Sequence, residues 1–373
     1  MQTNRVTICR EGARAAWRLA AALVAIACLM LSAATPAGSQ TPADFYKGRN
    51  VYIVIGYGVG GGYDAYARLL AAHLGKHIPG NPSIVAQNMV GAGSLKAVLY
   101  LDGVAPKDGT VLATFGRNLP IDPLMDTTGA AKFDGRKLSW IGSIASDVSL
   151  CISWHTSQIK KWDDMLTKQF TAGGNQAGSD PDVFASIIKG IFDAKIKLVT
   201  GFTGTNDMSL AMERGEVDGF CGLSYSTLKA QHPDWIRDKK VNLLVQASIT
   251  KEPNLPDVPL ITDLVKTPEQ VQVLKLLVAS QIMARPFAAP PGTPPDRVAA
   301  LRKAFDETMK DPAFLADAKR LNMDVDPISP VTIEKLLAEL YATPKETVDR
   351  AIQIMATQQV APPPVAPAAA AKP

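Results

Sequence analysis

Residues 51–68, VYIVIGYGVGGGYDAYAR, run from an apolar, β-branched stretch through a turn holding Gly56, Gly58, Gly60, Gly61 and Gly62 into a helix that opens at Asp64. A buried strand that feeds directly into a helix commits the chain to α/β layering, because the helix buries its apolar stripe by packing back on the strand's own sheet. The glycines let the backbone turn tightly and leave main-chain N–H groups around Tyr57 with no side chain in the way. Beside the positive end of a helix, such groups make a cradle for an anion. Asp64 is placed to cap that helix, which fixes the loop and takes up some of its donors.

The same alternation continues along the chain. Residues 65–78 read as an amphipathic helix stopped by Pro79 and Gly80, 83–88 as a strand, 94–101 as a helix and 110–115 as a strand. After an irregular stretch at 120–138 the rhythm restarts, with strands at 138–144, 149–154, 170–174, 197–202, 217–223 and 241–247 and helices at 181–193, 206–214 and 225–231. The last third reads as helices at 268–278, 295–310, 312–320, 330–341 and 343–357. Too few strands remain there for a third sheet, so these helices complete an earlier domain. A length of 373 residues exceeds one compact core, and an α/β chain of two domains with mostly parallel sheets is expected.

Three further glycine turns follow strands: Gly91, Gly93 and Ser94; then Gly174, Gln176, Gly178 and Ser179; then Thr203 and Gly204. One such turn is ordinary loop-making, whereas four at strand ends in two α/β halves favour a ligand cleft between lobes. Gly56-x-Gly58-x-x-Gly61 also satisfies the dinucleotide pattern, yet the second strand ends in Gln87 and Asn88 where that motif needs an acid. No G-x-S-x-G elbow, GxxxxGK[ST] loop or HExxH pair occurs. His73 and His77 share a helix face and read as a partly exposed surface pair. No catalytic residue, cofactor or metal is expected.

The amino end reads as an export address. Arg5, Arg10, Arg14 and Arg18 against Glu11 precede an apolar run at 19–34, and small residues and turn formers follow. The run is shorter than the roughly 20 residues of a membrane span, so a signal peptide over 1–39 is expected ahead of a membrane anchor or a lipoprotein cysteine at Cys28. Most of the formal charge of +4 sits in that segment, and the nearly neutral body offers no footprint for nucleic acid. With Cys9 and Cys28 in the signal, Cys151 and Cys221 either pair or stay as two small buried residues; the sequence leaves both open. Residues 360–373, rich in proline and alanine, read as a disordered tail.

Several spaced motifs, in order, resemble the substrate-binding proteins of tripartite tricarboxylate transporters, the Bug family: Gly58-Val-Gly60-Gly61-Gly62-Tyr-Asp64-Ala-Tyr-Ala-Arg68, Asn88-Met-Val-Gly91-Ala-Gly93, Ala105-Pro106-Lys-Asp108-Gly109-Thr-Val-Leu112, Gly201-Phe-Thr-Gly204, Glu213-Arg-Gly215-Glu-Val217-Asp218 and Ala289-Pro-Pro-Gly292-Thr-Pro294. The resemblance implies a two-lobed type II periplasmic binding protein, a monomer that closes on a small carboxylate and hands it to membrane permease subunits. It implies lobes at 44–143 plus 279–359 and at 144–278, and a ligand held by Tyr57, Gly58, Gly60, Gly61, Gly62 and Asp64 facing Gly174, Gln176, Gly178 and Ser179. Gly91, Gly93, Ser94, Thr203, Gly204 and Asp218 fall in or beside the matching motifs and join the candidates. Arg117, Asn118 and Asp147 are further candidates for side-chain contacts, with a salt bridge as the alternative for Arg117. Tyr57 and Val59 stand where many relatives carry proline, and Phe202 where they carry tyrosine, which bears on ligand identity. A ligand sensor that docks on a signalling receptor would read identically, and an exported α/β enzyme would need a nucleophile or base that the chain does not display.

Overall fold

The computed structural model describes residues 40–176 and 178–356. The expected signal peptide with Cys9 and Cys28, the tail at 360–373, and Ala177 lie outside these residues.

A short helix α1 (Pro42–Tyr46) leads to β1 (Asn50–Ile55), α2 (Gly62–Leu74), β2 (Ser83–Asn88), α3 (Leu95–Gly103) and β3 (Val111–Thr114). The short α4 (Asp122–Met125) precedes β4 (Ser139–Ser143). The chain then crosses to β5 (Ser149–Trp154), α5 (Trp162–Thr167), β6 (Phe170–Gly173), α6 (Asp180–Phe192), β7 (Ile196–Val199), α7 (Thr205–Glu213), β8 (Gly219–Ser224), α8 (Tyr225–Gln231), α9 (Pro233–Arg237) and β9 (Val241–Ala247). Helix α10 (Pro268–Val278) leads back to β10 (Pro286–Ala289), and α11 (Pro295–Thr308), α12 (Pro312–Arg320), α13 (Pro330–Tyr341) and α14 (Lys345–Ala356) finish the described chain.

These strands form two five-stranded sheets, ordered β2-β1-β3-β10-β4 and β7-β6-β8-β5-β9. β1 pairs parallel with β2 and β3, and β6 pairs parallel with β7 and β8. Each sheet carries one reversed strand, and it is the strand that arrives from the other lobe: β10 is antiparallel to β3 and β4, and β5 is antiparallel to β8 and β9. The sheets are therefore mostly parallel, as expected, with the reversal set by the two crossings. The crossings run side by side. The N–H of Ala284 donates to Ala145 O at 3.0 Å, that of Ile144 to Arg285 O at 3.1 Å, and that of Asp147 to Gln281 O at 3.1 Å.

Each sheet is covered on both faces, which explains why its strands read as continuous apolar runs. Val51, Ile53, Ile55, Leu70 and Phe305 form the core on one face of the first sheet. Helices α11, α12 and α13 pack on this lobe, whereas α14 returns to α6 and α10 beside the second sheet. Cys151 and Cys221 form a disulfide between the adjacent strands β5 and β8, resolving the alternative that the sequence left open. Of the histidine pair, His77 is partly exposed as expected, whereas His73 is buried. His73 meets Asp317 at 3.0 Å and His77, in the turn after α2, meets Asp311 at 2.9 Å, so the pair pins α2 and that turn to the middle and start of α12.

Candidate functional site

The strand-to-helix loops of both sheets face each other across a cavity of about 100 Å³. The first lobe supplies Tyr57, Gly58, Val59, Gly61, Gly62 and Tyr63, with Arg285 from the return crossing. The second supplies Asn175, Asp180, Pro181, residues 203–208, Phe220, Gly222, Ser224 and Thr227. Three helices of eight residues or more begin at its wall. Helix α2 has Gly61 at its N-cap, α6 has Ser179 and α7 has Gly204, and in none does a side chain cap the first amides. Uncapped first-turn N–H groups carry the positive end of each helix dipole, so donors of α2 and α7 meet from opposite lobes, while Pro181 in the first turn of α6 has no N–H to give.

Acidic residues in the first turns would be expected to occupy these donors, and the geometry shows why they do not. Asp64 reaches back to the loop: it accepts from the N–H of Gly60 at 2.9 Å, from Nδ2 of Asn88 at 2.8 Å and from Nε of Arg68. Burial pushes its carboxyl up, but these bonds together outweigh burial and leave it below the usual aspartate value. Asp182 plays the same part in the second lobe, accepting from the N–H of Asn175 and from Ser179 Oγ, each at 2.7 Å. Asp207 ties the third loop through the N–H and Oγ1 of Thr203. Asp64 and Asp207 thus shape their loops and leave the helix starts open, whereas Asp182 also accepts from its own N–H in the first turn of α6.

Of the residues expected from sequence, Tyr57, Gly58, Gly61, Gly62, Thr203 and Gly204 line the cavity. Gly60 and Asp64 lie just behind it. The Gly60 N–H is taken by Asp64, and its carbonyl accepts from Gln231 Nε2 at 2.7 Å, a bond between the lobes. Gly91, Gly93, Ser94, Gly174, Gln176, Gly178 and Ser179 do not line the cavity; of these, Gly93 and Gln176 meet between the lobes, the N–H of Gly93 donating to Gln176 Oε1 at 3.1 Å.

Arg117 and Asn118 are corrected from cavity contacts to an interlobe bridge. Fully buried Arg117 donates through Nη2 to Asp180 Oδ2 at 2.6 Å, to Ser149 Oγ at 2.9 Å and to Ser224 Oγ at 3.2 Å. Asn118 Nδ2 donates to Asp180 Oδ1 at 2.8 Å. The salt-bridge alternative for Arg117 is the one the geometry adopts, and the pair is buried rather than on the surface. Asp147 is likewise withdrawn from the cavity wall, because its carboxylate accepts from Ser226 and from Arg285 Nη2 at 3.3 Å inside the crossings. Asp218 stands at the amino end of β8, away from the ligand loops at the carboxyl ends, and accepts from Ser157 Oγ and the N–H of Thr171, each at 2.8 Å.

Tyr63, Asn175, Asp180, Phe220, Thr227 and Arg285 were not among the expected residues. Tyr63 stacks on Tyr57 with ring centroids 4.6 Å apart, and burial pushes its hydroxyl up to about 12, so both rings present neutral, mainly apolar faces to the cavity. Tyr63 lies inside the motif 58–68 and was legible there. Arg285 lies in no motif.

Asp122 closes the seam beside Gly178. Burial pushes its carboxyl well above the usual aspartate value, and Asp126 and Asp180 add to the shift. A raised value means the folded protein holds this proton more tightly than the unfolded chain, so stability falls as pH rises from the ordinary aspartate range through the raised one. Asp122→Asn is therefore expected to raise the unfolding temperature at pH 7 and to change it little near pH 3.5; thermal unfolding at the two pH values checks this.

No family model matches the chain. A curated relative, the UPF0065 protein in the gbd 5'region of Cupriavidus necator, is 26% identical over 299 residues, covering 78% of this chain and 84% of the relative. Among solved structures, MatC of Rhodopseudomonas palustris with bound malate superposes with a TM-score of 0.62 at 19% identity, over 82% of this chain and 99% of that one. Rpa4515 of the same organism with adipate gives 0.64 at 17%, over 82% and 97%, and the periplasmic binding protein BugD gives 0.62 at 18%, over 84% and 98%. The chain has the two-lobed α/β fold of these periplasmic binding proteins.

Proposed function

We propose that this chain is a periplasmic solute-binding protein of the tripartite tricarboxylate transporter type, which captures a small carboxylate between its lobes and presents it to membrane permease subunits. The observation that carries the reading is the meeting of three uncapped helix starts, from both lobes, at one cavity. Such a site stabilises an anion with fixed N–H dipoles and needs no basic surface. The small cavity, of about 100 Å³, fits the reading of a small acid. The solved neighbours that hold malate and adipate, both carboxylates, support the ligand class. The crossings at 144–148 and 279–285 serve as the hinge, and the expected leader at 1–39 as the export signal.

Calorimetric titration with malate, adipate, citrate, benzoate and alanine tests the reading. One site per chain is expected to fill with at least one of these acids, with a matching rise in unfolding temperature. Absence of heat and of thermal shift across the panel contradicts it.

A further inference from the structure

Arg285 is only 1% exposed, yet it touches the crossings, helix α2 and the second lobe. Its main chain is fixed in the return crossing, where its N–H donates to Ser143 Oγ at 2.9 Å. Its guanidinium lies over the rings of Tyr63 and Tyr66, 5.0 and 4.9 Å from their centroids. Nη1 donates to Ala284 O at 3.0 Å. Nη2 reaches across to the first turn of α8 in the second lobe, donating to Ser226 Oγ and Thr227 Oγ1 at 3.0 Å each, and it also meets Asp147 at 3.3 Å. Nε is buried and has no partner among the described residues, although Arg285 lines the cavity. A buried cationic donor without an acceptor is costly, and an anion in the cavity removes that cost.

Resting on the carboxylate reading, we propose that Arg285 is a ligand-binding residue that couples capture to closure: its Nε–H donates to the ligand carboxylate while Nη2 holds the second lobe's helix α8. Arg117 also has buried nitrogens without a partner among the described residues, Nε and Nη1, but unlike Arg285 it does not line the cavity. The Arg285 guanidinium holds the hinge through Nη1 and the opposite lobe through Nη2, with Nε left for the cavity, so occupancy at one nitrogen fixes the geometry of the others.

The test separates ligand contact from hinge bracing. Purified wild type, Arg285→Gln, Asp147→Asn and the double variant are titrated with malate, adipate, citrate and benzoate. Unfolding temperature and ligand-induced compaction by X-ray scattering are measured alongside. Arg285→Gln is expected to weaken whichever acids bind by about 10- to 100-fold, the worth of one hydrogen bond to a charged group, and to lose the compaction. Asp147→Asn keeps the arginine but leaves its charge unpaired in the empty protein; the ligand carboxylate then supplies the missing partner, so affinity is expected to stay within about threefold of wild type while the unfolding temperature of the ligand-free protein falls. The double variant, with no unpaired buried charge, is expected to fold normally and bind as weakly as Arg285→Gln. Asp147→Asn binding as weakly as Arg285→Gln, or a double variant binding like wild type, overturns the proposal. Wild-type protein that takes up none of the four acids overturns the carboxylate reading itself, and this role with it.

Discussion

Gly62→Ala should cost most of the ligand affinity while leaving thermal unfolding close to wild type. Gly62 opens α2 at the cavity wall, where a Cβ would overlap Thr227 Oγ1 of the opposite lobe and lie 3.3 Å from Arg285 Nη2. The backbone there is helical, so alanine brings no conformational strain, and the collision exists only where the lobes meet. Overpacking of this kind costs about 1–3 kcal/mol, which loads onto closure and lowers affinity by about 10- to 100-fold. Thr227→Ala removes the colliding hydroxyl, so the double variant should recover much of the loss. Titration of the four proteins checks this, and a Gly62→Ala protein that binds like wild type means the closed packing of α2 against α8 does not form.

Asp180→Ala should have the larger effect. Asp180 holds Arg117 and Asn118 across the lobes, and Arg117 has no exposed surface in the closed form. Loss of the carboxylate leaves a buried, unpaired guanidinium, a penalty of about 3–5 kcal/mol. An open cleft lets Arg117 meet water, so most of this penalty falls on closure, and affinity should fall by about two to three orders of magnitude. Arg117→Met combined with Asp180→Ala removes the stranded charge and should bind better than Asp180→Ala alone. Additive losses for the two changes, measured as a double-mutant cycle, would mean the bridge does not form.

The contrast between these residues shows what the sequence could reveal. Strands β1, β2 and β5 were legible, as were α2 and α3, and the buried apolar run of β1 ends in Gly56; the six-residue α5 after β5 was not. The cradle at Gly58, Gly61 and Gly62, which follows the run of β1, was legible too. Strand β10 was not. Its four residues sit in a proline-punctuated stretch, with Pro286 at the first strand position, and pair only because the chain returns from the other lobe. Missing β10 hid Arg285, which precedes it.

Acidic residues misled in a consistent way. Asp64 could be read as a helix cap or a ligand contact, but its partners Gly60, Arg68 and Asn88 come together only in the folded loop. Asp218 belongs to a recognisable motif, yet the parallel register of β8 with β6 puts it at the sheet edge opposite the ligand. Arg117 and Asp180 lie 63 positions apart, and no local pattern announces that one neutralises the other.

The central claim is that an acid sits between the lobes with its carboxylate on helix starts rather than on a basic surface. A crystal structure of the complex, grown with the tightest acid from the titrations, tests it most directly. The account predicts a carboxylate within hydrogen-bond reach of the main-chain N–H groups of Gly62 and Tyr63 and of Arg285 Nε, enclosed by residues of both lobes. A ligand bound outside this cavity, or held there with its carboxylate turned away from those N–H groups, would contradict it.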